Sequence, residues 1–206
     1  MFQIIFIICS IFQQEMQKSD IRKMYKEKRL RLSVAQRAKM DDLMLIQFQK
    51  LLVNIPALIM TYAPIKKLRE LDPQYITYYY YFKNTDQQLV YPVMTTHNDS
   101  CEMCAVMVEN DSFFETNPYS IDKPVDGHKM RTADIEMFFV PLLSFDKNGN
   151  LVGYSKGYYG RFLKQCSTNS IKIGFSYFDA VENIEDIDKH DIKLDYCITP
   201  ESIFTF

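Results

Sequence analysis

The sequence has no excess of positive charge: 24 Lys and Arg stand against 26 Asp and Glu, for a formal net charge of -2. A field of that sign attracts neither nucleic acid nor an anionic membrane, so neither partner is expected and any phosphate site must be a local feature. Cysteine is scarce, with Cys9, Cys101, Cys104, Cys166 and Cys197 scattered along the chain. An odd, dispersed set excludes a disulfide scaffold and fits a reduced, cytoplasmic setting. No apolar run is long enough to span a bilayer. Phe2 to Phe12 is eleven residues long, where a spanning helix needs about 20. No Lys or Arg precedes that run, and Gln13-Gln14-Glu15 follows it in place of a small-residue cleavage site. Residues 1–15 therefore read as an apolar extension foreign to the domain, with a membrane-directing segment as the other reading. Met16 opens the domain proper, residues 16–206.

What is present is an ordinary globular balance: 206 residues, 47% hydrophobic, 24% charged and 14% aromatic, enough for one core and one domain. From Lys18 to about Val53, Ile21, Met24, Tyr25 and Leu32, then Met40, Leu43, Met44, Phe48 and Leu51, recur at three- and four-residue spacings. Ser33 is placed to cap the second of two helices. The first is dense in cations, by itself the mark of a solvated face, yet Lys18 and Arg22 stand one turn apart and can grip a polyphosphate together. Residues 57–62 predict a buried strand and 70–76 a helical stretch. Strands are expected at 78–82 (tyrosine-rich), 89–93 (stopped by polar residues), 104–108, 137–141, 171–177 and 196–199. Residues 117–127, with Pro118, Pro124 and Gly127, read as an irregular loop, and 147–150 as a turn. This alternation predicts an α/β fold with a mostly parallel sheet.

The strongest local signal is the strand, glycine-containing loop and helix of residues 137–166. Glycine lets backbone approach phosphate oxygens, the start of a helix offers unpaired N–H groups, and Lys156 adds a mobile charge. It matches neither the Walker pattern nor the dinucleotide fingerprint, so a plain strand-to-helix turn remains open on this stretch alone.

Residues 142–163, LLSFDKNGNLVGYSKGYYGRFL, are similar to the signature of the 5-formyltetrahydrofolate cyclo-ligase family: a Phe-Asp, a glycine turn, then Gly-x-Gly-x-Gly-Tyr-Tyr-Asp. The resemblance extends over most of residues 17–200. Lys18 and Arg22 match its N-terminal Lys-x-x-x-Arg helix, Glu70-Leu71-Asp72 its Glu-apolar-acidic step, Ser120 to Pro124 its x-Ile-x-x-Pro loop, and Asp191 with Asp195 its closing Asp-x-x-x-Asp.

The resemblance implies a single three-layer α/β domain related to CoA transferases and ribose phosphate isomerases. It further implies a monomer that uses ATP and Mg²⁺ to convert 5-formyltetrahydrofolate to 5,10-methenyltetrahydrofolate. Carried over residue by residue, Lys18, Arg22 and Lys156 become catalytic. Lys18, Arg22 and residues Leu151, Val152, Gly153, Tyr154, Ser155, Lys156, Gly157, Tyr158 and Tyr159 become the ATP site. Ala63, Glu70 and Tyr119 join Tyr154 to Tyr158 around the folate, and Asp191 becomes the metal ligand.

The chain departs from the pattern at Leu151, where many relatives hold Arg; at Ser155, where they hold Gly; and at Gly160, where they hold the second metal-binding Asp. Glycine supplies no oxygen for a hard cation. Alongside the enzyme there thus stand two other readings: a non-catalytic nucleotide- or folate-binding member, and an enzyme for another phosphoryl-activated amide. Asp146 and Asp191 are the carboxylates to examine at the vacant ligand position. His97, Cys101 and Cys104 have zinc-like spacing without an evident fourth ligand, and His128 and His190 read as solvated loop residues.

Overall fold

The computed structural model describes residues 16–206 apart from 98–99, 110, 119, 155–156 and 190. Two helices come first, α1 (Lys18–Arg31) and α2 (Val34–Lys50). Ser33 separates them through a capping box: its Oγ accepts from the Gln36 N–H at 3.2 Å and its own N–H donates to Gln36 Oε1 at 2.8 Å. Each helix buries one stripe. Ile21, Tyr25 and Arg29 line that of α1 at four-residue spacing, and Met44 and Phe48 that of α2.

The strands are β1 (Leu58–Met60), β2 (Gln88–His97), β3 (Ser100–Val108), β4 (Phe114–Thr116), β5 (Asp122–Pro124), β6 (His128–Met130), β7 (Met137–Pro141), β8 (Ser144–Phe145), β9 (Leu151–Val152), β10 (Ile171–Phe175), β11 (Tyr196–Ile198) and β12 (Ile203–Thr205). Eight of them form one sheet in the order β12-β11-β10-β7-β1-β2-β3-β6. The four central pairings are parallel, and antiparallel strands close both sides. Strand β7 shows why the centre is parallel: Met137, Phe138, Phe139 and Val140 are all buried, so both faces need a layer over them. Met137 and Phe139 join Met44 and Phe48 of α2 and Ile76 and Tyr80 of α3 (Gln74–Lys83). Phe138 and Val140 face the other way, with Phe162 and Leu163 of α4 (Tyr158–Leu163). The result is the expected three-layer α/β domain.

Three local expectations are corrected. The tyrosine-rich stretch 78–82 lies in α3, not in a strand. Tyr75, Tyr78 and Phe82 are exposed while Ile76, Thr77 and Tyr80 are buried, a period of three to four that overrides the strand preference of tyrosine. Strand β2 runs past Val93 to His97 because β3 pairs with it along its whole length. Within 117–127, Asp122–Pro124 pairs with Phe114–Thr116 as a small hairpin.

Gly174, in the middle of β10, has no room for a side chain: a Cβ there would lie 2.5 Å from Leu142 Cδ2 and 2.7 Å from Leu194 Cδ1. Gly174→Ala is expected to lower stability by about 1–3 kcal/mol through overpacking. A thermal melt followed by circular dichroism should fall by several degrees.

Candidate functional site

The site begins at a hairpin. Strands β8 and β9 are joined by a turn in which Gly149 adopts φ 82°. Asp146, with no exposed surface, holds that turn. Its Oδ1 accepts from the backbone N–H of Asn148 and Asn150 at 2.9 Å each, and its Oδ2 from the Asn150 amide at 2.8 Å. Both oxygens are thus committed to the turn, so Asp146 does not replace the carboxylate missing at Gly160. The hairpin delivers Gly153 and Tyr154; after 155–156, Gly157 adopts φ 64° and α4 begins at Tyr158.

Helix α1 lies against this segment. Ile21 and Tyr25 cluster with Leu143, Val152 and Ile184. Arg22 Nε donates to the Gly153 carbonyl at 3.0 Å. The Lys18 ammonium pairs with Asp191, whose Oδ2 also accepts the Asp188 N–H at 2.8 Å. The described residues therefore bring Lys18, Arg22, Gly153, Tyr154 and Asp191 to one edge, although their sequence positions lie far apart.

Glu70 arrives from the other side. The chain leaves β1 through Tyr62, Ala63 and a short 3-10 turn (Lys66–Leu68) to Arg69, at φ 52°. Arg69 Nη1 donates to the carbonyls of Leu30 and Leu32 at 2.7 and 2.5 Å, tying the loop to the end of α1. Glu70, only 7% exposed, accepts the Ile65 N–H at 2.5 Å, and the Tyr154 hydroxyl faces it. Burial raises its pKa, while the Ile65 N–H, the Tyr154 hydroxyl and the positive charge of Arg29 pull it back. Tyr62, Tyr154 and Tyr159 are held in their neutral form, first by burial and then by the nearby Glu70 charge. Glu70, Arg29, Tyr62, Tyr177 and Phe178 share the lining of a small cavity.

A wider groove of about 580 Å³ runs along α4, between Glu102–Ala105 of β3 and Met130–Ala133. Tyr158 and Arg161 line it, with the Arg161 guanidinium 5.1 Å from the Tyr158 ring centroid. Sequence reasoning did not find this groove, because β3 and β6 reach it only through sheet pairing.

Ser155, Lys156 and Tyr119, and His190 with residues 1–15, lie outside the described residues, as do the side chains of His97 and Cys101. Sequence reasoning also passed over Arg29. Its signal was a charged residue on the apolar stripe of α1, where Ile21 and Tyr25 precede it by two turns and one.

Among the described residues no three His, Cys, Asp or Glu side chains converge as a metal site. Asp191 already has Lys18 and an N–H as partners, and Gly160 offers no oxygen. This set does not by itself make a Mg²⁺ cage, which wants near-octahedral oxygen ligation. A Cβ added at Gly160 meets nothing within 4 Å, so the position is open. No helix among the described residues is long and apolar enough to cross a membrane.

A three-layer α/β domain with a deep polar cluster and a groove of ligand size has the architecture of a small-molecule enzyme. The family model for the 5-formyltetrahydrofolate cyclo-ligase family matches residues 14–200, and the chain belongs to that enzyme family. The 5-formyltetrahydrofolate cyclo-ligase of Mycoplasma pneumoniae is 26% identical over 190 residues, covering 90% of this chain and 100% of that one. The mouse (Mus musculus) 5-formyltetrahydrofolate cyclo-ligase is 25% identical over 120 residues, 54% of this chain and 58% of that one. The solved structure of Aquifex aeolicus 5,10-methenyltetrahydrofolate synthetase superposes with a TM-score of 0.74 at 26% identity, covering 91% of this chain and 92% of that one.

Tyr177, on the cavity wall, donates to Asp41 Oδ1 at 2.7 Å. Burial pushes the Asp41 carboxyl up to about 6 against this bond. A carboxyl raised on folding favours the native state below its unfolded pKa of about 4 and loses that contribution as pH rises through about 6. Asp41→Asn has no such loss, so its melting temperature relative to the parent protein should rise by a few degrees between pH 4.5 and pH 7.5. A constant difference across that range would disprove the burial effect.

Proposed function

We propose that the protein converts 5-formyltetrahydrofolate to 5,10-methenyltetrahydrofolate at the expense of ATP. The formyl oxygen attacks the γ-phosphorus and ADP leaves. The second folate nitrogen then bonds to the activated carbon and gives up its proton to solvent, and phosphate departs with the former formyl oxygen. No protein nucleophile is needed; catalysis rests on positioning and on neutralising phosphate charge.

The observation that carries this reading is helix α1 laid along the glycine loop, with Arg22 bound to the Gly153 carbonyl. The bond uses Nε, and the Nη groups of Arg22 have no other partner among the described residues, which suits a phosphate fork. Lys18 and Lys156 complete the cationic set, and residues 151–159 border the nucleotide. The groove beside Tyr158 offers room for the length of the folate, and Ala63 and Tyr119 complete its surroundings. Glu70 accepts N–H donors of the pterin, a role favoured by its buried Oε1, which lacks a partner among the described residues. Asp191 would supply a carboxylate to Mg²⁺, with phosphate oxygens and water completing its ligands. The protein acts as a cytoplasmic monomer.

The test is absorbance at the methenyl-folate band with purified protein, 5-formyltetrahydrofolate, ATP and Mg²⁺. ATP-dependent product is expected. No turnover, with activity appearing in Gly160→Asp, would mark a binding protein that lost its metal ligand. No turnover in either form would point to another substrate. Lys156→Ala should lower kcat/KM for ATP by about 100-fold while leaving the melting temperature almost unchanged; parallel loss of both would remove Lys156 from the site.

A further inference from the structure

The buried end of α1 contains a charge that neither the fold nor the proposed phosphate chemistry explains. Arg29 is 5% exposed. Its Nη2 donates to the Tyr154 hydroxyl and its Nη1 to the Leu142 carbonyl at 3.3 Å, while Nε has no partner among the described residues. The Tyr154 hydroxyl, which accepts from Arg29, also faces Glu70 and acts on its charge. Glu70 Oε2 is held by the Ile65 N–H, with Oε1 left over. Burying a guanidinium is costly unless it is paired, and this one reaches its carboxylate through a phenol. An aliphatic residue would complete the Ile21–Tyr25 stripe without that cost.

We propose that Arg29 is a positioning residue for substrate recognition: through the Tyr154 phenol it fixes the place of the Glu70 carboxylate, with Oε1 available to a ligand N–H. This rests on Glu70 as the group that receives the folate ring. Three elements converge here: α1 supplies the cation, the hairpin loop the phenol, and the loop after β1 the carboxylate. The groups that face Glu70 are Arg29, the phenols of Tyr62, Tyr154 and Tyr159, and the Ile65 N–H. Arg29 is the only cation among them. Without it the carboxyl would keep the burial that raises its pKa and lose the charge that lowers it. Protonated, it could no longer accept at both oxygens.

The test is calorimetric binding of 5-formyltetrahydrofolate from pH 5 to 8, which needs no turnover. In Arg29→Gln the dissociation constant at pH 7.5 should rise about tenfold, and its weakening toward acid should begin at a higher pH than in the parent protein. Arg29→Lys should restore the pH profile in part. Tyr154→Phe, which removes one hydroxyl, should weaken binding in the same direction and covers the case in which Arg29→Gln does not fold. Glu70→Gln separates the two layers of the argument. If it binds folate as the parent does, the reading of Glu70 fails. If it binds poorly while folded Arg29→Gln keeps both the parental affinity and pH profile, the role of Arg29 alone is overturned.

Discussion

The site depends on one buried carboxylate. Asp146 collects N–H groups from Asn148 and Asn150, and Ile184 N–H lies 3.4 Å from its Oδ2. A turn of this kind would otherwise leave its inward N–H groups unpaired beneath the β8–β9 hairpin, at a cost of about 1–3 kcal/mol each. With those groups satisfied, the hairpin becomes a rigid base, and Gly153 and Tyr154 leave it in fixed directions. The contacts that α1 makes with the loop presuppose this base.

On that base the fold assembles one edge from remote parts of the chain. Helix α1 reaches the hairpin with Arg22, the buried cluster with Arg29 and the Asp191 loop with Lys18. Arg69 locks the end of the same helix to the loop that carries Glu70. A single amphipathic helix thus relates two groups of residues of opposite character: cations suited to phosphate, and a carboxylate suited to N–H donors.

Much of this was legible in the sequence, for identifiable reasons. Ser33 is a local cap signal, and the structure uses it as one, with Gln36 completing the box. Met137 to Pro141 is an unbroken apolar run, and a strand buried on both faces needs one. The glycine turn at 149 and the Lys18–Arg22 spacing were likewise local. What the sequence concealed was tertiary. Tyr78 to Phe82 has strand-forming residues, yet its burial follows a helical period set by the sheet beneath it. The groove beside Tyr158 needs β3 and β6 paired at the sheet edge before it exists. Arg29 resembled one more solvated cation in a basic run, and only Tyr154, 125 residues away, reveals it as buried.

The long reach of α1 also bears on how the chain folds. Lys18 meets Asp191 across 173 residues, and Arg22 meets Gly153 across 131. Contacts of such separation close late, because the intervening chain must give up its loop entropy before they form. Apart from the Arg69 contact at its end, the helix waits for partners that follow far along the chain, at Leu143, Val152 and Ile184. Its apolar stripe, Ile21 and Tyr25, stays uncovered through most of synthesis, the kind of surface through which nascent chains aggregate. The edge that gathers the candidate site residues therefore rests on contacts of long sequence separation, whose loop entropy is given up before they form.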